Sequence, residues 1–156
     1  MTDRYTGVPY GQDAALRSHL SFPVVGIGAS AGGLVALRRL FEQAPATGGM
    51  AYVVILHLSP RHESQADQVL QRCTRMPVIQ VNAPTPIEPN HVYVISPAKS
   101  LTMNDGYLRV SDVDRPPGRH IAIDRFFRTL ADAHMDRAVG IVLSGTGSDG
   151  TVGLAR

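Results

Sequence analysis

Phe22-Pro23-Val24-Val25-Gly26-Ile27-Gly28-Ala29-Ser30-Ala31-Gly32-Gly33 decides the fold and poses the functional question. A short apolar run, ended by glycines, meets a serine just ahead of an amphipathic segment. Ser30 therefore falls at a strand-to-helix turn, beside the backbone amides of a helix N-terminus. Gly28-Ala29-Ser30-Ala31-Gly32 is a G-x-S-x-G, the nucleophile-elbow pattern, in which small neighbours let a strained turn lift the hydroxyl clear of a sheet. Gly26–Ala31 also reads as G-x-G-x-x-A, a dinucleotide fingerprint. The rest of the chain has to choose between the two.

Outward from this stretch, apolar runs and helical periodicities alternate. Phe22–Gly28 reads as a central strand without a polar face. Leu34, Leu37, Leu40 and Phe41 follow at helical spacing, and Pro45 stops them. Ala51–Leu58 is a second buried strand that carries His57 at its end. Ala66, Val69, Leu70 and Cys73 mark another helix face, and Pro77–Val81 and His91–Ser96 are further strands. Leu101–Val110 is a hairpin about Asn104-Asp105-Gly106, and Ser111–Arg119 is a loop with proline and glycine. Ile123, Phe126, Phe127, Leu130 and His134 trace a helix, Ala138–Leu143 a strand, and the chain closes on Ser144-Gly145-Thr146-Gly147-Ser148-Asp149-Gly150 and the start of one more helix. The pattern predicts an α/β fold: a doubly wound, mostly parallel sheet with helices on both faces and a small β-hairpin excursion.

A chain of 156 residues, 44% hydrophobic and 18% charged, suits one globular domain. Its net charge of +2 comes with no basic run interleaved with aromatics, which argues against nucleic-acid binding. The single cysteine, Cys73, cannot form an internal disulfide and fits a reducing cytoplasm. No signal-like N-terminus and no apolar stretch of spanning length are present, so no membrane insertion is expected. Residues 1–21 read as a flexible leader and 22–156 as the folded domain.

In open α/β sheets, sites form beyond the carboxyl ends of the strands. Ser30 lies past the first strand, His57 ends the second, and Asp149 lies in the glycine-rich loop after the last. A nucleophile, a base and an orienting carboxylate on one sheet edge follow the logic of a catalytic triad. Each has a plainer reading: Ser30 and Asp149 as helix N-caps, His57 as a hydrogen-bonded strand-end histidine. The dinucleotide reading requires an acidic residue about 20 positions past the fingerprint to hold the ribose. Here Tyr52-Val53-Val54-Ile55-Leu56-His57 ends in an imidazole, a poor ribose clamp and a good general base. His57, His62 and Glu63 lack metal-site spacing, with Pro60 between them. His134 sits at a helix end, where a cation is favoured. Asp105, Asp112 and the other aspartates read as solvated residues of turns and helix faces.

These segments resemble the catalytic domain of the chemotaxis protein-glutamate methylesterases, the CheB type. The resemblance rests on Val25–Gly33, on His57 closing Val53–Leu56, and on Leu143–Gly150, with Val92–Pro97 and Ile123–Ala131 between them. It implies Ser30 as nucleophile, His57 as base and Asp149 as third triad member, acting without a cofactor or a metal. The implied reaction is hydrolysis of glutamyl γ-methyl esters on chemoreceptors, with glutamine deamidation in related members. The implied partners are methylated chemoreceptor proteins and fused or associated methyltransferase and sensory kinase modules. The chain departs from the family in three ways. Only about twenty residues precede the first strand where family regulators often carry a receiver domain, so a receiver-less form is expected. Thr146 stands where a methionine is common. It stops at Arg156, which implies a missing C-terminal part. A non-catalytic signalling domain that retains the fold, and less so a dinucleotide-binding enzyme, stay open as alternatives.

Overall fold

The computed structural model describes residues 17–57, 65–112 and 122–143. The chain runs through β1 (Val24–Ser30), α1 (Leu34–Gln43), β2 (Ala51–His57), α2 (Ala66–Gln71), β3 (Val78–Val81), β4 (Thr85–Pro86), β5 (Val92–Ile95), β6 (Lys99–Asn104), β7 (Tyr107–Asp112), α3 (Ala122–His134) and β8 (Ala138–Leu143). Single 3-10 turns over Ala31–Gly33 and Met135–Arg137 lead into α1 and out of α3. Among the described residues, five strands form a parallel sheet in the order β3-β5-β2-β1-β8, and β4-β7-β6 form a small antiparallel sheet. The predicted α/β class holds.

Every residue of β1 is buried, because the strand is paired on both sides and covered on both faces. Val25, Ile27 and Ala29 pack with Leu37 and Phe41 of α1 and Leu70 of α2. Val24 faces the other way, into a cluster with Ile123, Phe126, Phe127 and Leu130 of α3 and Leu101, Met103 and Leu108 of the hairpin. The apolar stripe of α3 recurs at three- and four-residue intervals, and each large side chain buried there contributes about 1.5–3 kcal/mol.

The glycines do not end the first strand, as the sequence suggests; they lie inside it. They share the α3 face with Val24 and let the helix come close. A Cβ on Gly28 would lie 2.5 Å from Ile123 Cγ2, and one on Gly26 2.9 Å from Leu130 Cδ2. Gly26 lies under Leu130 and Gly28 under Ile123, so α3 runs antiparallel to β1 and starts near its carboxyl end. The strand consequently extends two residues past the expected Gly28, to Ser30.

Elsewhere the pattern reading is close. The hairpin turns on Asp105 (φ 46°) and Gly106 (φ 76°), the pair of positive φ angles that a two-residue type I′ turn requires. The bridge at β4 was not foreseen; a two-residue strand with proline at a sheet edge has no periodicity to detect. Ser111 and Asp112 belong to β7 rather than to a loop, and Asp112 is ion-paired with Lys99 across the hairpin. That lysine's hydrogen bond and charge hold the Asp112 carboxyl below its usual range. Asp105 likewise meets His19, at 2.9 Å. Residues 113–119 of the expected loop and the helix expected after Gly150 lie outside the described residues.

Residues 17–21, the end of the expected leader, are fastened to the domain. The Ser18 amide donates to the Ala133 carbonyl at 2.9 Å, Arg137 donates to the Leu20 carbonyl at 3.1 Å, and Leu20 packs on the core. His134 departs from expectation. It ends α3, where the helix dipole favours a cation, but it is only 4% exposed and neither ring nitrogen has a hydrogen-bond partner among the described residues. Burial, and then the charge of Arg137, hold its pKa below the ordinary value. Desolvation outweighs the dipole here.

Two outcomes follow from this packing. Gly28→Ala drives a methyl into Ile123 and is expected to cost about 1–3 kcal/mol in urea denaturation. Combined with Ile123→Ala, its cost should fall at least about 0.5 kcal/mol short of the sum of the single costs; strict additivity would separate the glycine from the helix. For His134, the unfolded chain takes up a proton near the ordinary pKa of about 6.5, while the folded chain resists until a lower pH. Stability is therefore lost as pH falls below about 6.5. The Tm advantage of His134→Leu over the unsubstituted chain should widen between about pH 7.5 and 5.5. A constant gap would show that His134 does not titrate between the two states.

Candidate active site

The sheet reverses its winding at β1. The chain leaves β1 through α1 on one face to reach β2, and returns through α3 on the opposite face to place β8 on the other side. A crevice outside the carboxyl ends of the strands is expected at such a switch point. Ser30 is the last residue of β1 and stands at it.

Register then decides which residues Ser30 meets. Parallel pairing of β1 with β2 runs from Val24 opposite Ala51 to Ser30 opposite His57. The two predicted site residues occupy one rung at the same sheet edge, on strands about 4.8 Å apart. On the other side, Ala29 pairs with Leu143, the last residue of β8. The chain thus leaves β8 at the edge where Ser30 stands. Asp149, the third predicted residue, lies outside the described residues, as do His62, Glu63 and His120.

The plainer reading of Ser30 as a cap is answered by its geometry. Ser30 occupies the N-cap position of the Ala31–Gly33 turn, but its side chain makes no capping hydrogen bond. Its backbone (φ −75°, ψ 171°) is ordinary extended chain, so the strain expected of a nucleophile elbow is absent. Ser30 is 8% exposed. Strand parity aligns it with Gly26 and Gly28 toward α3, whose first turn carries Ile123 and Asp124. The turn into α1 begins at Ser30 itself. A helix N-terminus therefore stands beside this hydroxyl, a field that favours negative charge developing there. Gly33 makes the α1 approach possible, since a Cβ there would lie 2.9 Å from Ala29 Cβ and 3.0 Å from the Leu143 carbonyl oxygen.

The dinucleotide reading loses its physical basis in the same geometry. The glycines of a phosphate-binding fingerprint belong to the turn after the strand. Gly26 and Gly28 lie within β1 and are consumed by α3. The other described histidines serve structure: His91 Nδ1 is 2.7 Å from the Pro89 carbonyl and its ring stacks on Tyr93, while His19 bridges to Asp105.

Beyond the expected His91–Ser96 strand, a turn to which sequence reasoning gave no role borders this edge. β5 ends beside β2 and turns at Ser96-Pro97-Ala98-Lys99, closed by the Lys99 amide donating to the Ser96 carbonyl at 3.2 Å. Ser96 is buried, and its hydroxyl donates to the Val81 carbonyl at 2.8 Å, fixing the turn to β3. Ala98 holds φ 58°, left-handed backbone that an alanine adopts at a cost of about 1–2 kcal/mol. The proline ahead of it was the available signal, since proline before a left-handed position marks a type II turn.

Comparison with known proteins adds a separate line of observation. The family model of the CheB methylesterase matches residues 25–156. A putative protein-glutamate methylesterase/protein-glutamine glutaminase of Leptospira interrogans is 25% identical over 88% of this chain and 72% of its own length. A protein-glutamate methylesterase/protein-glutamine glutaminase of Xanthomonas campestris is 36% identical over 90% of this chain, which spans only 40% of that relative. The crystal structure of the Thermotoga maritima CheB methylesterase catalytic domain superposes with a TM-score of 0.75 at 22% identity, over 86% of this chain and 73% of that one, and shows the fold to be shared.

The strained turn gives the prediction of this section. Ala98→Asn should raise stability by about 0.5–1 kcal/mol, because asparagine tolerates left-handed backbone better. That corresponds to a Tm rise of about 1–4 °C in a chain of this size. A lowered Tm would mean that Ala98 is held by contacts that outweigh its strain.

Proposed function

The chain belongs to the CheB methylesterase family, and from that premise we propose that it hydrolyses glutamyl γ-methyl esters on protein substrates through Ser30, His57 and Asp149. The observation that carries the reading is the shared rung of Ser30 and His57 at the carboxyl edge of β1 and β2. In the proposed reaction Ser30 Oγ attacks the ester carbonyl carbon and its proton passes to His57. The tetrahedral intermediate collapses, the carbon–methoxy bond breaks, and the proton leaves with methanol. Water then attacks the acyl-serine by the same route and frees the carboxylate. Asp149 would hold the imidazole in the required tautomer and stabilise its cation. Negative charge on the carbonyl oxygen would develop beside the turn that leads into α1.

Related proteins are named for glutaminase as well as methylesterase activity, and the same attack on a glutamine side chain releases ammonia instead of methanol. We assign the substrates to methylated chemoreceptor segments and the reaction to the cytoplasm. No helix among the described residues is long and apolar enough to cross a membrane.

The test is methanol release from a methyl-esterified chemoreceptor segment, alongside labelling of the chain by a fluorophosphonate. Ser30→Ala should lower turnover by about 10⁴-fold or more and abolish the label. Its Tm should stay within a few degrees, because the backbone at Ser30 is relaxed. Methanol release that survives this substitution would assign the nucleophile elsewhere. A folded parent chain that neither labels nor turns over would be a non-catalytic member of the family.

A further inference from the structure

Three of the four glycines between Gly26 and Gly33 are required by packing. Gly26 and Gly28 admit α3, and Gly33 admits the Leu143 carbonyl. Gly32 meets no such wall. Among the described residues, a Cβ built there has one neighbour within 4 Å outside its own turn, the Ser30 Oγ at 4.0 Å. Nor does the backbone demand glycine, since the described glycines with positive φ are Gly49 and Gly106. Gly32 is exposed within the 3-10 turn that leads into α1. In a helical turn glycine is less favourable than alanine by up to about 1 kcal/mol. Among the described residues, neither packing nor backbone conformation accounts for the missing side chain, and the one atom that would feel its return is the serine hydroxyl.

We propose that Gly32 is a specificity-determining position that keeps the approach to the Ser30 hydroxyl open for the acyl group. This rests on the reading of Ser30 as nucleophile. An attacked carbonyl carbon has to come within about 3–3.5 Å of Oγ. A methyl at ordinary contact distance from Oγ begins to occupy that side, and a branched side chain closes it. One turn further on, Val35 is 58% exposed and extends the opening as an apolar lip. The approach suits an acyl carbon at the end of a slender, flexible chain that lies over Gly32 and Val35, as a glutamyl side chain would.

The experiment uses the full chain with Gly32→Ala and Gly32→Val, each followed by thermal melting and by the rate of Ser30 labelling. The probes are methanesulfonyl fluoride and a long-chain alkyl fluorophosphonate, with the site read by mass spectrometry. Both variants are expected to melt cooperatively, with the alanine variant at or slightly above the parent Tm. Labelling of the alanine variant should slow by about tenfold with the fluorophosphonate and by less with the small reagent, whereas the valine variant should lose about a hundredfold with both. Equal labelling rates in parent and valine variant would overturn the role of Gly32 while leaving Ser30 as nucleophile. Loss of the cooperative melt in the alanine variant would also overturn it, by placing the need for glycine in the fold. A parent chain unlabelled at Ser30 would bring down the hydrolytic reading and this inference with it.

Discussion

The closest constraint in the molecule is the contact of α3 with β1 across Gly26 and Gly28. With no side chains at these two positions of the strand, Ile123 and Leu130 descend almost to the backbone. This contact fixes α3 against the sheet and so delivers β8 to the free side of β1. It also brings the start of α3 to the carboxyl end of β1. The winding reversal and the position of the crevice both depend on two missing methyl groups. Dense packing of this kind is sensitive to single carbon atoms, because interiors have little spare volume.

The small antiparallel sheet secures the same arrangement from outside. Met103 of β6 donates its amide to Thr129 Oγ1 of α3 at 2.9 Å, and the hairpin side chains complete the apolar layer beneath the helix. The fastened segment at residues 17–21 closes the far end, where Ser18 meets the last turn of α3 and Leu20 lies against Gly106. Helix α3 is therefore held along its length, by the sheet on one side and by the hairpin and this segment on the others. The layer that Ser30 faces therefore has a firm support.

Much of this was legible in the chain, for physical reasons that differ by element. Helices α1 and α3 declared themselves because one face of each is buried, and burial imposes a period. β2 and β8 showed as unbroken apolar runs, and the Asp105-Gly106 turn showed because few residues tolerate two consecutive positive φ angles. The end of β1 was misplaced because glycine usually weakens strands; only a helix packed on it gives glycine a reason to be there, and that helix is nearly a hundred residues away in sequence. His134 was misjudged in the same way: its place at a helix end is local, while its burial is not. At the site, Ser30 and His57 were identifiable as residues ending neighbouring strands, but their standing on one rung is a matter of register. The lack of a capping bond at Ser30 and the ordinary backbone that replaces the expected strain are matters of local geometry that no motif encodes.

Gly26, Gly28 and Ser30 share a parity along β1, and this gives the strand a grammar of its own. A substitution changes one word at a time. A gain or loss of a single residue between Gly28 and Ser30 would instead transpose everything after it, turning the hydroxyl from the α3 layer to the α1 layer. Two such changes would restore the direction but move the serine off the rung it shares with His57. The spacing G-x-G-x-S is thus conserved by geometry as a unit of length, and drift in this part of the chain should proceed through exchanged side chains and not through altered length.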